Sequence, residues 1–220
     1  MRSYPFFSLW SVMENKISKY VLHPWHGISP GEKAPSIVDA FIEILPTDTV
    51  KYEVDKISGY IRLDRPQKFS NHCPALYGFI PRTYCGEKVA EFCMQKSLKK
   101  DLKGDGDPLD ICVITSSHIS QVNILMSVVP IGGFRMIDKN EADDKIIAVL
   151  KGDTIFGHMQ DIHHCPSELI DKLRHYFLTY KVMPDEDTPP VVEITGVYNA
   201  EEARQVIRRA LQDYEEHFPG

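Results

Sequence analysis

Ile37-Val38-Asp39-Ala40-Phe41-Ile42-Glu43-Ile44-Leu45 is the first of three short apolar runs, followed by Val50-Lys51-Tyr52-Glu53-Val54 and Tyr60-Ile61-Arg62-Leu63. All three are rich in β-branched and aromatic residues and too short for a core helix, so they read as strands. In the second run Val50, Tyr52 and Val54 share one face, with Lys51 and Glu53 on the other. Ser58-Gly59, between runs two and three, is a turn signal. Further strands are predicted over residues 109–115, 122–131, 145–150 and 191–198.

Two helices come late. Ser167 can cap the first, whose apolar stripe is Leu169, Ile170, Leu173, Tyr176, Phe177 and Tyr180. Asn199 with Glu202 resembles a capping pair for the second, with a stripe of Ala203, Val206, Ile207, Ala210, Leu211 and Tyr214. Many short strands followed by late helices imply α+β, with a small barrel as the core. Residues 85–104 are Lys-rich and turn-like towards their end, and read as a long loop with room for a short helix.

The bulk properties narrow the function. A chain of 220 residues is long enough for one well-buried core, and its net charge of −6 argues against a broad basic surface for nucleic acid or acidic lipid. A local cluster of cations or metals can still receive an anionic small substrate. The cysteines, Cys73, Cys85, Cys93, Cys112 and Cys165, are odd in number and form no Cys-x-x-Cys pair, which fits free thiols in a reducing compartment. His163-His164-Cys165 reads as a loop or the start of a helix, because adjacent residues rarely point at one ion. The apolar stretch from Phe6 to Met13 lacks a small-residue cleavage site and is a poor signal peptide; a start at Met13 would remove most of it.

The strongest chemical signal is Asp105-Gly106-Asp107-Pro108-Leu109-Asp110. Three carboxylates so close repel one another unless something positive sits among them. Magnesium takes carboxylate oxygens and binds substrate phosphates as well. A calcium loop starting at Asp105 fails, since it wants Gly and Glu where Asp110 and Ser116 stand. A plain solvated acidic turn remains open for the hexapeptide alone. A second cluster, Asp138-Lys139-Asn140-Glu141-Ala142-Asp143-Asp144-Lys145, reads alone as a polar hairpin loop. Paired with the first, it completes a multi-metal site of the kind used for phosphoryl transfer, with Lys145 as a cation for a phosphate oxygen.

Asp105 to Asp110 resembles the Asp-x-Asp-Pro-x-Asp motif of the soluble family I inorganic pyrophosphatases. Ile42-Glu43-Ile44-Leu45-Pro46, Lys51-Tyr52-Glu53, Leu63-Asp64-Arg65, Tyr77-Gly78-Phe79-Ile80, Met136-Ile137-Asp138 with Asp143 and Lys145, and Tyr180-Lys181 are similar to further family segments in the family's order. His23-Pro24-Trp25-His26 is similar to the opening of the plant-type branch. The resemblance implies a single α+β domain over residues 23–220 with a small OB-like antiparallel β-barrel core and two main helices late in the chain. Residues 1–22 are then an N-terminal extension and residues 85–104 an inserted loop.

The resemblance also implies hydrolysis of pyrophosphate to two phosphates by metal-activated water, with Mg2+ as cofactor. Asp105, Asp110 and Asp143 would hold the tightest metal; Glu43, Asp138 and Asp143 would help hold metals arriving with substrate. Asp107 would be the general base. Lys51, Arg65, Lys145, Tyr180 and Lys181 would bind phosphate oxygens, with Tyr77 near the water and Glu53 as a charge partner. The expected setting is cytoplasmic, away from nucleic acid and membrane, in a homo-oligomer, with a hexamer favoured and a dimer the alternative.

Each residue has a plainer reading. Lys51 with Glu53 fits an exposed strand ion pair, Arg65 a surface turn, Tyr180 a core aromatic, and Lys181 a helix C-terminal cation. The chain also departs from the family, with Cys73 where bacterial members usually carry Tyr and Leu76 where Asn is usual. A nucleotide phosphohydrolase would need a stacking wall for its organic group. A catalytically inert oligonucleotide-binding barrel would need a basic groove with exposed aromatics.

Overall fold

The computed structural model of the chain describes residues 22–69, 72–181 and 192–219. The N-terminal stretch with Met13 lies outside them, as do Asn71 and Val191, the first residue of the last expected strand.

Among the described residues, ten strands and three α-helices follow the order β1 (Val38–Ile44), β2 (Val50–Val54), β3 (Ile61–Pro66), β4 (Leu76–Phe79), α1 (Glu87–Ser97), β5 (Lys103–Gly104), β6 (Asp110–Ile114), β7 (Ile124–Asp138), β8 (Glu141–Ala142), β9 (Lys145–Leu150), α2 (Ser167–Thr179), β10 (Val192–Asn199) and α3 (Ala200–His217). The path β1-β4-β6-β9-β7 closes on itself because β1 also pairs with the first half of β7. The result is a small OB-like barrel, the α+β architecture expected. One feature of the expectation is corrected: the barrel is not wholly antiparallel. β9 runs antiparallel to β7 but parallel to β6, and β5 and β8 also pair in parallel. The cause is order in space. β7 lies between β1 and β9, so a chain turning back from β7 enters β9 in the direction of β6.

β7 is much longer than expected. Its start pairs with β1, it pairs with β9 on both sides of a register shift between Pro130 and Gly132, and it pairs with β10 beyond that shift. A bulge lets one strand serve two curvatures. β6 and β9 are buried on both faces. Ile111, Val113, Ile146 and Ala148 join one core cluster with α1 and α3. Cys112, Ile114, Ile147 and Val149 join the other, which α2 covers. Such strands read as unbroken apolar runs rather than alternating ones. Phe177 of α2 is 1% exposed, worth roughly 2–3 kcal/mol of burial.

The helix ends divide the local signals from the distant ones. Asn199 caps α3 as expected, its side chain accepting from Glu202 N at 3.0 Å. Ser167 does not cap α2; Pro166 precedes the helix and Ser167 is its first residue. The stretch 85–104 is corrected from a loop to the 11-residue helix α1 with the short strand β5 behind it. The cap of α1 comes from α3: Asp213 accepts from the backbone N–H of Gly86, Lys88 and Val89 at 3.0–3.1 Å. His163 and His164 lie in one 3-10 turn. The five cysteines are free and buried. No helix among the described residues is long and apolar enough to cross a membrane.

Gly78 lets β4 approach β1. A Cβ on Gly78 would stand 1.8 Å from the carbonyl oxygen of Phe41, a fixed backbone atom. Gly78→Ala is expected to cost about 3 kcal/mol of stability, read from urea denaturation midpoints at constant m-value.

Candidate active site

The barrel brings the two acidic clusters to one cleft of about 490 Å³. The loop before β6 is shaped first. Gly106 takes φ +75°, a left-handed conformation that suits glycine. Its N–H donates to Cys85 O at 3.1 Å, Cys85 N donates to Asp107 O at 2.8 Å, and Asp107 N donates to the Asp105 carboxylate at 2.9 Å. The loop is thus pinned to the start of the α1 segment, with its carboxylates facing the cleft.

Strand register does the rest. Parallel pairing places Lys145 of β9 opposite Asp110 of β6. The Lys145 ammonium donates to both Asp110 and Asp143, and is 2% exposed. Tyr77, on β4, donates its hydroxyl to the same Asp110 oxygen at 2.6 Å. Asp138 ends β7 and pairs with Lys181, just beyond α2. Glu43 lies where the β1/β4 register shifts, and accepts from Val54 N at 2.6 Å.

The separate β2–β3 hairpin forms the outer wall. Lys51 stands opposite Arg65 in register. Lys51 contacts Glu53 at 2.9 Å and Asp64 at 3.2 Å, and Arg65 pairs with Asp64 as well. Tyr180 stacks on Tyr176 with ring centroids 5.0 Å apart, so it is both a core aromatic and part of the cleft wall.

Every site residue singled out from the sequence lines this one cleft. Trp25, Asp55, Lys56, Arg62 and Glu141 line it too, and were not singled out. Lys56 is the most informative of these, since its ammonium pairs with Asp107. It lies in Asp55-Lys56-Ile57-Ser58-Gly59, a turn whose composition announces only a turn.

The electrostatics are unbalanced. Nine carboxyl groups line the cleft (Glu43, Glu53, Asp55, Asp105, Asp107, Asp110, Asp138, Glu141, Asp143) against six cations (Lys51, Lys56, Arg62, Arg65, Lys145, Lys181). Burial is the main force pushing Glu43 up to about 8. Burial, then the charge on Asp143, pushes Asp105 up to about 9. Burial works against the charge on Lys145, but Asp110 and Asp143 outweigh it and hold the ammonium protonated.

The donor set suits a hard divalent cation. It is all oxygen, burial and then the charge on Asp143 disfavour a bare carboxylate at Asp105, and among the described residues the buried Asp138 Oδ1 has no hydrogen-bond partner. Among the described residues no three ligating side chains are already gathered around one point; the Lys145 ammonium stands between two of them.

The family model for inorganic pyrophosphatase matches residues 40–215. The chain belongs to the inorganic pyrophosphatase family. It is 49% identical over 209 residues to the inorganic pyrophosphatase of Chlamydia caviae, covering 94% of this chain and 97% of that protein. Against the inorganic pyrophosphatase of Chlamydia muridarum it is 50% identical over 197 residues, 88% of this chain and 94% of the relative. Among solved structures, the inorganic pyrophosphatase of Thermus thermophilus superposes with a TM-score of 0.72 at 29% identity, covering 89% of this chain and 99% of that one. Hydrolysis of pyrophosphate to phosphate is the activity that this membership carries.

The buried Lys145 separates Asp110 from Asp143, and removing its charge leaves two carboxylates facing each other out of water. Lys145→Met is expected to destabilise the protein by about 3–5 kcal/mol in metal-free buffer, measured by urea denaturation.

Proposed function

We propose that the cleft hydrolyses pyrophosphate with Mg2+ as cofactor and Asp107 as general base. The observation that carries this reading is the excess of carboxyl groups over cations lining the cleft. A polyanionic substrate would be repelled from it unless divalent cations entered as well. Asp105, Asp110 and Asp143 would hold the tightest ion, and Glu43 and Asp138, with Asp143, those that enter with substrate. Bound there, magnesium neutralises phosphate oxygens and makes the attacking water more acidic.

The protein's own groups then have distinct tasks. Asp107 accepts the proton of the attacking water on its carboxylate, a task suited to a side chain at the open rim of the cleft. To do so it parts from Lys56. Lys51, Arg65, Lys145 and Lys181, now paired with carboxylates, would turn to phosphate oxygens of the bound substrate. Arg65 and Lys181 relieve the charge developing on the leaving phosphate, Arg65 with a forked grip and Lys181 with a point contact. Tyr180 donates its hydroxyl to a phosphate oxygen, and Tyr77 orients Asp110. Glu53 keeps Lys51 extended along the hairpin.

An organic phosphoanhydride would need a face on which to stack its base. Trp25 is the aromatic nearest to that role, but it is 4% exposed and its ring is stacked on His26 at 4.5 Å. Inorganic pyrophosphate is therefore the substrate favoured over nucleotides. The free, buried thiols favour a reducing, cytoplasmic setting. Exposed apolar side chains such as Leu63 and Leu125 favour assembly into a homo-oligomer, which sedimentation velocity measures directly.

Phosphate release from pyrophosphate is expected to stop in excess EDTA and return with Mg2+. Asp107→Asn is expected to lower kcat by about 10²–10⁴-fold with an unchanged melting temperature, since its ion pair with Lys56 is exposed. Release retained in Asp107→Asn would assign the base elsewhere; release insensitive to EDTA would remove the metal from the mechanism.

A further inference from the structure

Asp143, Asp144 and Lys145 are consecutive, but only the outer two line the cleft. Asp144 faces the opposite way, into the protein, where it is 2% exposed. Its partner there is Arg135 of β7, also buried, whose guanidinium lies 3.1 Å from Asp144 Oδ2 and 3.3 Å from Glu202 Oε1. The guanidinium carbon is 5.0 Å from the ring centroid of Phe92 and 5.0 Å from that of Tyr198. A nitrogen of the same group donates to Phe92 O at 3.4 Å. Arg135 is therefore gripped from α1, β10 and α3 at once.

We propose that Arg135 and Asp144 are positioning residues: a buried clamp that fixes Asp143 and Lys145 in the cleft, with α1 supplying its back wall through Phe92. The inference rests on the reading that Asp143 holds magnesium. Strand geometry supplies the coupling. Residues i−1 and i+1 of an extended segment turn together about residue i, so anchoring Asp144 sets the direction of both neighbours. A hydrogen bond from Asp143 N to Met136 O at 3.0 Å holds the same segment to β7, one residue from Arg135. Charge makes the clamp selective. A planar guanidinium in contact with two rings donates to a carboxylate in a restricted direction, here through a single bond to Asp144 Oδ2, where an apolar contact would tolerate sliding. The inserted segment 85–104 thereby acquires a function: its helix closes the back of the metal-bearing hairpin, on the face away from the cleft.

The test is calorimetric titration of magnesium chloride into the metal-stripped full chain without substrate. In Asp144→Asn and in the double variant Arg135→Met/Asp144→Leu, the Kd for magnesium is expected to rise about 10–100-fold, the effect typical of losing a partner behind a metal ligand. The double variant removes both buried charges together, and Glu202 keeps its ion pair with Lys96, so its melting temperature should stay near that of the wild type. Arg135→Lys, which keeps the charge and loses the fork, should bind with intermediate affinity. Phe92→Leu should weaken binding in the same direction by less. A purely structural pair would move the melting temperature and leave the Kd alone. A folded variant binding magnesium as tightly as the wild type overturns the inference; if the double variant does not fold, Asp144→Asn decides. Failure of the wild type itself to bind magnesium would overturn the metal reading along with it.

Discussion

Carboxylates crowded into a cleft that water only partly reaches repel one another, and most of the molecule around the active site is arranged to contain that repulsion. The energy of two like charges rises steeply as the surrounding dielectric falls, so the cluster survives folding only by neutralisation. Two means are visible in the structure, and the proposed metal would be a third. Some carboxyls keep a proton, as burial pushes Glu43 and Asp105 into the range of about 8 to 9. Others take an ammonium as a partner: Lys145 between Asp110 and Asp143, Lys181 on Asp138, Lys56 on Asp107. The third is a divalent cation, which can replace both protons and lysines. On the proposed function, the same crowding that costs stability in the free protein would draw divalent cations into the cleft and, with them, a polyanion.

The cleft divides into a stiff half and a softer one. Asp110 and Lys145 begin β6 and β9, the two strands buried on both faces at the centre of the barrel. Tyr77 adds a hydroxyl to Asp110 from the neighbouring strand. Groups that bind an ion need this fixity, because small displacements change coordination. Lys51, Lys56 and Arg65 instead belong to the β2–β3 hairpin, which pairs only with itself and has no fully buried residue in either strand. Low burial and an isolated sheet make this the part most easily opened. Lys51 and Arg65, two of the proposed phosphate-binding cations, therefore sit where they can move without straining the barrel.

The local signals in the chain were legible. Short β-branched and aromatic runs located β1 to β3, with period-two alternation in β2, apolar runs located β6 and β9, and Asn199 with Glu202 fixed the start of α3. The acidic clusters were legible as a pair: alone each reads as a polar turn or loop, and together they point to positive charge between them. Other features depend on partners far away in sequence. The start of α1 is satisfied by Asp213, on another helix, so residues 85–104 lacked a local helix signal at their N-terminus. Lys56 joined the site through a turn that looks like any other. Ser167 looked like a cap, but Pro166, with φ −54°, already sets the entry into α2 and leaves Ser167 inside it.

By itself the sequence determined which elements form and which residue types carry the chemistry, because propensity, periodicity and capping act over a few residues. Only the tertiary structure decided which charges neutralise which. The closure of β1 on β7 and the parallel register of β6 with β9 bring Glu43, Asp110, Asp143 and Lys145 into one space. It also decided that Asp144 turns away from its two neighbours to meet Arg135, Phe92 and Tyr198. Coulombic and packing energies depend on distance through space, and separation along the chain does not set that distance until the barrel has closed.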